Sequence, residues 1–481
     1  MSQRWVRYRR TAGSLIALAA SALAQPGAGQ GVASDKSRVL VLTDIGNEPD
    51  DAESFVRLLL YANQLDIEGL VATTSTWQRA KVQPALLRER IDAYAQVVDN
   101  LRHHAAGYPD ATYLRSVLRA GSSVYGMAGV GMGKDSDGAR RIIEVIDRPD
   151  PRPVYIPIWG GAADLAQALW TVRATRTPAQ TKAFVAKIRA YSISDQDDCG
   201  PWIRQNFPDL FYIASVHAWG QYGLAAWTGI SADLMLPNKW PASETVTNPW
   251  LKINIQRGPL GKMYPPHAFI MEGDTPSFLG LIDNGLNDAS HPEWGGWGGR
   301  YAPAYEGAGH RADTQDRYTD ATGKMWSSNQ ATIFRWRSAF QNDFAARIAW
   351  SLTADATRAN HNPDVVLNGV AGSKPVMIRA KLGDTVQLSA VGTRDRDGDR
   401  VSYRWWQYAE PSGAPGVITP TLAIVGADTV ASQFVMPAFK VTAANVPVPK
   451  TPYALHVILE VTDAGTPALT TYRRAIVSVQ P

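Results

Sequence analysis

The residues Val39-Leu40-Val41-Leu42-Thr43-Asp44-Ile45-Gly46-Asn47-Glu48-Pro49-Asp50-Asp51 carry the clearest structural signal of the chain. The first four form a continuous apolar run, which is typical of a strand buried on both faces of a parallel sheet. A polar loop follows, and Asp50 and Asp51 open a segment whose apolar residues recur at helical spacing. A strand, a polar loop and a helix in this order predict the first unit of an α/β domain.

The same order of apolar run, polar loop and helical pattern recurs over the next three hundred residues. Further strands are predicted at residues 67–72, 154–158, 187–193, 210–214 and 268–271. We therefore predict an α/β fold over residues 38–362, with a mostly parallel sheet and helices on both of its faces.

Beyond residue 362 helical periodicity is lost, and short segments alternate apolar and polar residues. These segments lie at residues 376–380, 385–390, 401–407, 432–436, 455–461 and 474–479. They predict an all-β, Ig-like sandwich over residues 363–481, which is a candidate for carbohydrate binding. The acidic segment Asp395-Arg396-Asp397-Gly398-Asp399 is either a plain turn or a structural calcium site. Trp405 and Trp406 face opposite ways on a strand, so one belongs in the core and the other is a candidate for glycan stacking.

The first 37 residues have the pattern of an export signal and a linker. Four arginines among the first ten residues precede an alanine-rich apolar run, and Ala22-Leu23-Ala24 has the A-x-A form of a cleavage site. The run is too short for a good membrane span. We predict a signal peptide over residues 1–24, a linker over 25–37 and a periplasmic or secreted protein.

Composition excludes several classes of function. The chain has 481 residues, a net charge of +4, 16 tryptophans and one cysteine. A single cysteine, Cys199, excludes an internal disulfide framework and any cysteine-built metal cluster, and we interpret it as a free thiol. The small net charge argues against nucleic acid or an anionic membrane as the partner.

Acidic residues follow three of the predicted strands. The first group contains Asp44, Asp50 and Asp51, the second Asp195, Asp197 and Asp198, and the third Glu272 and Asp274. Carboxyl ends of parallel strands meet at one edge of a sheet, so these groups are expected around one crevice. Clustered carboxylates repel one another unless a cation lies among them, and oxygen ligands suit Ca²⁺ or Mg²⁺. The alternative is that Asp50 and Asp274 cap the helices that follow them.

A glycine-rich loop carries two further candidates, Trp294 and Trp297. Their indole rings either stack on sugar rings or anchor the loop in the protein body, and the sequence does not separate these alternatives. His291 is either a leaving-group acid or an ordinary surface histidine.

Several segments together resemble the bacterial cellulose-binding, nucleoside-hydrolase-like family, whose members join such a domain to a C-terminal β-sandwich. The matching segments are Leu42-Thr43-Asp44-Ile45-Gly46, Pro49-Asp50-Asp51, Ile158-Trp159-Gly160-Gly161-Ala162, Ile193-Ser194-Asp195-Gln196-Asp197-Asp198, Met271-Glu272-Gly273-Asp274-Thr275-Pro276-Ser277-Phe278 and Trp294-Gly295-Gly296-Trp297-Gly298-Gly299-Arg300. Nucleoside hydrolases hold one Ca²⁺ at the strand ends, beside the water that attacks the anomeric carbon of a ribosyl unit.

The resemblance implies roles for individual residues. Asp44, Asp51, Asp274 and the main-chain carbonyl of Trp159 would bind calcium. Asp44 would also be the general base, and Asp50 would contact sugar hydroxyls at the catalytic centre.

The sequence departs from nucleoside hydrolases around the sugar site. The acidic segment with Asp195, Asp197 and Asp198 replaces their usual sugar-binding Asn/Glu segment, and Asp195, Asp197, Asp198, Glu272, Trp294 and Trp297 are the remaining candidate substrate contacts. The first expectation is an exported, calcium-dependent glycoside hydrolase acting on a glycan or a pentofuranosyl glycoside. The alternatives are a non-catalytic cellulose- or polysaccharide-binding protein and a periplasmic nucleoside hydrolase.

Overall fold

The computed structural model describes residues 36–413, 417–438, 440–441 and 454–479. These residues belong to one compact unit that begins at Lys36. The predicted signal peptide and nearly all of the predicted linker lie outside the described residues. Ser37, which was predicted as the last linker residue, is the first residue of a strand.

An eight-stranded sheet organises the N-terminal part. Its strands are β1 (Ser37–Thr43), β2 (Leu65–Ala72), β3 (Leu118–Ala120), β4 (Val154–Ile158), β5 (Ile188–Ser192), β6 (Phe211–Ala214), β7 (Tyr301–Pro303) and β8 (His310–Asp313). The order across the sheet is β3-β2-β1-β4-β5-β6-β8-β7, and every neighbouring pair is parallel except β7 with β8. The prediction of a mostly parallel α/β sheet is confirmed.

Helices connect these strands and cover both faces of the sheet. They are α1 (Asp50–Leu60), α2 (Pro84–Ala95), α3 (Val98–His104), α4 (Ala111–Ser116), α5 (Asp137–Asp147), α6 (Ala163–Thr175), α7 (Pro178–Ala186), α8 (Cys199–Asn206), α9 (Asn248–Asn254), α10 (Gly258–Gly261), α11 (Pro276–Leu279), α12 (Ala331–Phe334) and α13 (Arg337–Ser351). A small antiparallel hairpin, β9 (Asp316–Thr319) and β10 (Met325–Ser328), lies outside the main sheet. In the described part of the chain, no helix combines the length and apolar character needed to cross a membrane.

The apolar run of β1 is continuous because both of its faces are buried. Val39 and Val41 point into one hydrophobic core, whereas Leu40 and Leu42 point into a second core on the other face. β1 is also flanked by β2 and β4, so it is central in the sheet. Both conditions fix the carboxyl end of β1, from which the acidic loop begins.

The prediction of a strand at residues 268–271 is wrong. These residues form bends, and the backbone is left-handed at Phe269 (φ 63°) and Glu272 (φ 52°), which a strand does not accommodate. The amide and carbonyl of Met271 pair with the Ser231 hydroxyl, each at 2.9 Å, instead of with a neighbouring strand. Asp274 therefore reaches the sheet edge from an irregular loop before α11.

The C-terminal part is all-β, as predicted. Its strands are β11 (Val376–Ala380), β12 (Thr385–Ser389), β13 (Val401–Gly413), β14 (Val417–Ile418), β15 (Ala431–Val435), β16 (Lys440–Val441), β17 (Ala454–Asp463) and β18 (Thr470–Val479). One sheet has the order β11-β18-β17-β13, and β12 pairs with β15 in a second. A core that includes Trp405, Leu388 and Phe434 lies among these strands.

The sandwich packs directly on the α/β part. Trp406, the candidate for glycan stacking, lies against Trp336 of the α/β part with ring centroids 5.8 Å apart. The Arg474 guanidinium donates to the carbonyls of Leu286 and Gly295, each at 2.8 Å. This surface of the sandwich is therefore an internal interface, and Trp406 contributes to it.

Candidate functional site

Three carboxylates meet beyond the carboxyl end of β1. Asp50, Asp51 and Asp274 each offer one oxygen atom, and these oxygens all lie within 4.8 Å of one another. Asp51 and Asp274 are buried. No side chain caps the helices that begin at Asp50 and at Pro276. Neither Asp50 nor Asp274 therefore caps a helix through its side chain, although Asp50 lies in the first turn of α1, where its charge complements the helix dipole. The three carboxylates form an acidic cluster that could hold a metal ion.

Asp44 lies beside this cluster at the end of β1. It is buried, and its carboxyl group is within hydrogen-bond reach of the Asp51 carboxyl and of the Ser75 hydroxyl. Thr43 donates a hydrogen bond from its hydroxyl to Asp51. A Cβ atom on Gly160 would lie only 2.7 Å from Asp44 Oδ1, so the absence of a side chain there makes room for Asp44. The structure thus brings together all four aspartates that the sequence assigned to this centre.

The electrostatics of the cluster favour a cation. Burial, followed by the neighbouring charges, raises the pKa of Asp50 to about 8 and the pKa values of Asp51 and Asp274 well above their usual range. Burial also raises the pKa of Asp44 to about 6. Asp274 Oδ2 is buried and has no hydrogen-bond partner. An oxygen-only donor set with an unsatisfied carboxylate oxygen fits a hard divalent cation.

Trp159 supports the cluster from the neighbouring strand β4. Its indole Nε1 donates to Ser277 Oγ at 2.9 Å, and Ser277 Oγ donates to the Asp274 carbonyl at 2.6 Å. Its main-chain carbonyl, predicted as a metal ligand, accepts a hydrogen bond from Gln196 Nε2 at 2.7 Å. Trp159 therefore links the β4 end to the loop that carries Asp274.

The three aspartates of the second acidic group, Asp195, Asp197 and Asp198, lie in three different environments. Asp195 forms a two-point ion pair with Arg204, at 2.8 and 2.6 Å. Asp198 is exposed and accepts a hydrogen bond from the amide of Met127 at 2.7 Å. Asp197 is buried, and one of its oxygens has no hydrogen-bond partner. Burial raises the pKa of Asp197 to about 7, so Asp197 is the member of this group with unused bonding capacity.

Cys199, at the start of α8, is buried and free, as predicted. Burial raises the pKa of its thiol, which therefore remains protonated at neutral pH and lacks the thiolate needed for nucleophilic attack.

Glu272 was predicted to contact substrate, and the structure corrects this. Its side chain is fully buried and forms an ion pair with Arg57 at 2.5 Å. Tyr264 donates a further hydrogen bond to it at 2.8 Å. Arg57 lies on α1 and Glu272 precedes Asp274 by two residues, so this pair joins the two segments that supply the acidic cluster. The two buried charges stabilise each other, and the fully buried Glu272 side chain is inaccessible to a ligand.

The glycine-rich loop is anchored to the protein body. Trp297 is only 1% exposed and belongs to the main hydrophobic core, so the prediction that it stacks on sugar is wrong. The Trp294 ring stacks on His291 with centroids 3.9 Å apart and packs edge-on against His456 of the sandwich. It is therefore occupied by protein contacts, and stacking on sugar is not supported for it either.

His291 is engaged by a neighbouring carboxylate. It hydrogen-bonds Glu293 at 2.8 Å, and this contact raises its pKa. It lines a cavity of about 60 Å³ beneath the glycine-rich loop, whose lining includes none of the clustered aspartates.

Aromatic residues after β6, which were not predicted from the sequence, flank the cluster. The Trp227 ring and Asp50 Oδ2 both lie near the position that a Cβ on Gly273 would occupy, at 3.2 and 2.8 Å. Tyr222 packs 6.5 Å from Trp227, and both His217 and Trp219 pack edge-on against Tyr222. The charge of Glu48, in the acidic loop, raises the pKa of Tyr222 after the effect of burial. The run of aromatic and glycine residues at 217–223 was the available signal.

Comparisons with known proteins agree with this architecture. Residues 38–301 match the family model described as Cellulose-binding Sde182, nucleoside hydrolase-like domain, and residues 385–479 match Cellulose-binding protein Sde0182, C-terminal domain. A solved nucleoside hydrolase-related hypothetical protein from Saccharophagus degradans, described as associated with carbohydrate metabolism, is 34% identical. The similarity covers 92% of this chain and 100% of that chain, with a TM-score of 0.76.

The type III effector protein XopQ, solved with adenosine diphosphate ribose, is 14% identical over 67% of this chain and 95% of that chain, with a TM-score of 0.26. No curated protein matches the sequence. The first family model alone spans more than half of the chain. The nucleoside hydrolase-like domain and the C-terminal domain of the family follow one another in the expected order. The chain therefore belongs to the cellulose-binding, nucleoside-hydrolase-like family.

Proposed function

We propose that this chain is an exported, calcium-dependent glycoside hydrolase that acts on a glycan or a pentofuranosyl glycoside. The observation that carries the proposal is the cluster of Asp50, Asp51 and Asp274, with an unpartnered oxygen on Asp274. The proposal includes a signal peptide over residues 1–24 and a linker from residue 25 to the start of β1 at Ser37. It also includes a catalytic domain that begins with β1 and ends at residue 362, and a sandwich over 363–481 that assists attachment to the glycan.

The proposed calcium ligands are carboxylates that otherwise repel one another. Asp51 and Asp274 would bind the ion directly, with Asp44 and the Trp159 carbonyl completing the protein ligands. Asp50 lies in the same cluster and has two available roles, as a further ligand or as the contact to sugar hydroxyls. When bound, the cation supplies Lewis acidity toward a nucleophilic water and offsets the negative charge of the aspartates.

Asp44 is the proposed general base. Its carboxyl group is buried beside the other proposed calcium ligands, where a carboxylate can accept a proton from a nearby water. Gln78 fixes the backbone at this residue by donating to the Asp44 carbonyl at 2.9 Å. The surrounding anionic oxygens favour the positive charge that develops on the sugar in an oxocarbenium-like transition state.

A carbohydrate substrate is supported by the family name and by the surface around the cluster. Trp219 is 68% exposed and packs on Tyr222, which lies near the acidic loop. Exposed indole rings offer flat apolar faces for sugar rings. We propose Trp219 and Tyr222 as sugar contacts in place of Trp294 and Trp297, with Asp197 as a further polar contact.

A non-catalytic polysaccharide-binding protein is the second candidate function. It is favoured by the ion pair of Asp195 with Arg204 and by the hydrogen bond that Asp198 accepts from Met127. Both aspartates are engaged by protein groups in the segment where nucleoside hydrolases carry sugar-binding residues. A periplasmic nucleoside hydrolase is the third candidate.

Product release in the presence and absence of calcium separates these candidates. The full chain without its leader is incubated with nucleosides and with a panel of plant and microbial glycans, with CaCl₂ or with EDTA. The proposal expects calcium-dependent release of reducing sugar from a glycan, lost in Asp51→Asn and retained in the exposed-site control Asp209→Asn. Glycan binding without any product, in wild type and Asp51→Asn alike, would establish the binder instead. Release of free base from nucleosides alone would establish the third candidate.

A further inference from the structure

Three buried side-chain oxygens at the junction of the two parts have no hydrogen-bond partner. They are Oδ1 of Asn360, Oδ2 of Asp395 and Oδ2 of Asp463. Asn360 is 8% exposed and Asp463 is 4% exposed. Asn360 lies where the chain leaves the α/β part, Asp395 lies in the loop between β12 and β13, and Asp463 ends β17. None of them contributes to the acidic cluster described above.

Hydrogen bonds bring these residues together and leave one oxygen of each carboxylate free. Asn360 Nδ2 donates to Asp463 Oδ1 at 3.0 Å, and the amides of Gly465 and Leu469 donate to the same oxygen at 2.9 and 3.0 Å. Asp395 Oδ1 accepts from the amides of residues 397 and 399, at 2.8 and 3.1 Å. One oxygen of each aspartate is therefore saturated, whereas the other is buried and unsatisfied.

The loop that carries Asp395 is held against the Asn360 segment. The amide of His361 donates to Asp397 Oδ2 at 2.7 Å, and the Trp350 indole donates to the Asn360 carbonyl at 2.8 Å. The negative charge of Asp395 contributes to raising the pKa of Asp463, after the larger effect of burial. Asp397, two residues after Asp395, and Asp463 are thus both bonded to the segment 360–361.

Leaving these oxygens unsatisfied would be costly, because buried polar atoms in proteins are nearly always bonded. A proton on Asp463 would satisfy one oxygen, but the carbonyl oxygen of Asn360 would still need a donor or a cation. A single cation bound among them would satisfy all three atoms and offset the negative charge of the aspartates. We propose that Asn360, Asp395 and Asp463 form a second calcium site, which fastens the β-sandwich to the α/β domain.

The donor atoms select the kind of ion. Two carboxylate oxygens and an amide oxygen suit Ca²⁺, which takes oxygen ligands in flexible arrangements. His361, which lies next to Asn360, is not available to a softer metal. Its Nδ1 faces Asp397 at 2.9 Å, and its Nε2 faces His104 Nδ1 at 3.0 Å. The site therefore lacks the nitrogen and sulfur ligands that zinc prefers.

Calcium stoichiometry tests the site separately from the acidic cluster. The full chain without its leader is stripped with EDTA and titrated with CaCl₂ by calorimetry to about 10 mM, above the range of weak extracellular sites. The variant Asp274→Asn removes the cluster ion and is expected to retain one Ca²⁺ per chain. Adding Asp463→Asn or Asp395→Asn to it should abolish this binding, together with the calcium-induced rise in unfolding temperature. Adding Asp428→Asn, which changes an exposed aspartate of the sandwich, should leave both unchanged.

Asp463→Asn and Asp395→Asn each preserve a side-chain carbonyl that can accept the amide hydrogen bonds, and circular dichroism verifies the fold. If one double variant is unfolded, the other one decides the outcome. Calcium binding that is undiminished by Asp463→Asn or Asp395→Asn would overturn the proposal. So would an Asp274→Asn protein that binds no calcium while wild type binds one ion. A wild type that binds one ion, lost only in the Asp463→Asn and Asp395→Asn variants, would support this site while contradicting the cluster.

Discussion

Replacing Asp50 by asparagine should stabilise the calcium-free protein. Asp50 lies among carboxylates at the start of α1, where burial and the charges of Glu48 and Asp44 oppose its ionisation. Asparagine has nearly the same shape and carries no charge. The change therefore removes the cost of accommodating this carboxyl group and keeps most of its contacts.

The size of the effect follows from the pKa of Asp50, which rises from 3.8 to about 8 on folding. A raised pKa means that the folded state holds the proton more tightly than the unfolded chain does. The resulting destabilisation is absent below about pH 4, grows as the pH rises, and is complete above about pH 8. At pH 7 the free energy of unfolding is lowered by at most about 4 kcal/mol, and at pH 5 by about 1.5 kcal/mol. Asp50→Asn should recover these amounts.

The measurement is urea-induced unfolding in EDTA at pH 5 and pH 7, with Asp209→Asn as a control that removes an exposed aspartate. The gain should be larger at pH 7 than at pH 5 and absent in the control. Saturating calcium should reduce the stability gain of Asp50→Asn, because the charge of Asp50 attracts the ion in wild type and is missing in the variant. A destabilised Asp50→Asn protein in EDTA, or a gain that does not change with pH, would refute the reasoning.

Three further changes test other parts of the account. Glu272→Gln leaves the buried Arg57 without its counter-charge and should lower the free energy of unfolding, measured by urea denaturation, by about 3–5 kcal/mol. A loss below about 1 kcal/mol would contradict the buried ion pair. Gly160→Ala places a methyl group against Asp44 and should weaken calcium affinity by about 10–100-fold in calorimetry. An unchanged affinity would contradict the assignment of Asp44 as a calcium ligand. Trp219→Ala should leave the unfolding temperature nearly unchanged, because the side chain is exposed, and should weaken retention on a glycan affinity gel; wild-type retention would exclude this residue as a sugar contact.

The main features of the fold could be read from the sequence because local patterns and burial agree. The apolar run of β1 and the alternating segments of the sandwich each match the environment that the structure gives them. The strand prediction for residues 268–271 failed because an apolar run of strand length also suits a buried irregular loop. Its left-handed residues and its pairing with Ser231 depend on distant parts of the chain. Sequence periodicity carries no information about such contacts.

The site was predictable only in part. Asp44, Asp50 and Asp51 were found because they follow a buried parallel strand, whose carboxyl end lies at the ligand-binding edge of the sheet. Asp274 was found through the family resemblance, since the strand predicted before it is absent. Glu272 and Trp297 were misassigned, since neither a buried counter-ion such as Arg57 nor enclosure in a core is visible in local sequence. The aromatic residues after β6 were missed because they belong to a loop, and only its packing brings them beside the cluster.

The central claim is that Asp51 and Asp274, in the cluster they form with Asp50, bind a calcium ion. A crystal structure of the full chain without its leader, grown with CaCl₂ and measured for anomalous scattering, tests it most directly. We predict an anomalous peak within about 2.3–2.6 Å of carboxylate oxygens of Asp51 and Asp274. A map with saturating calcium and no peak among these carboxylates would contradict the claim.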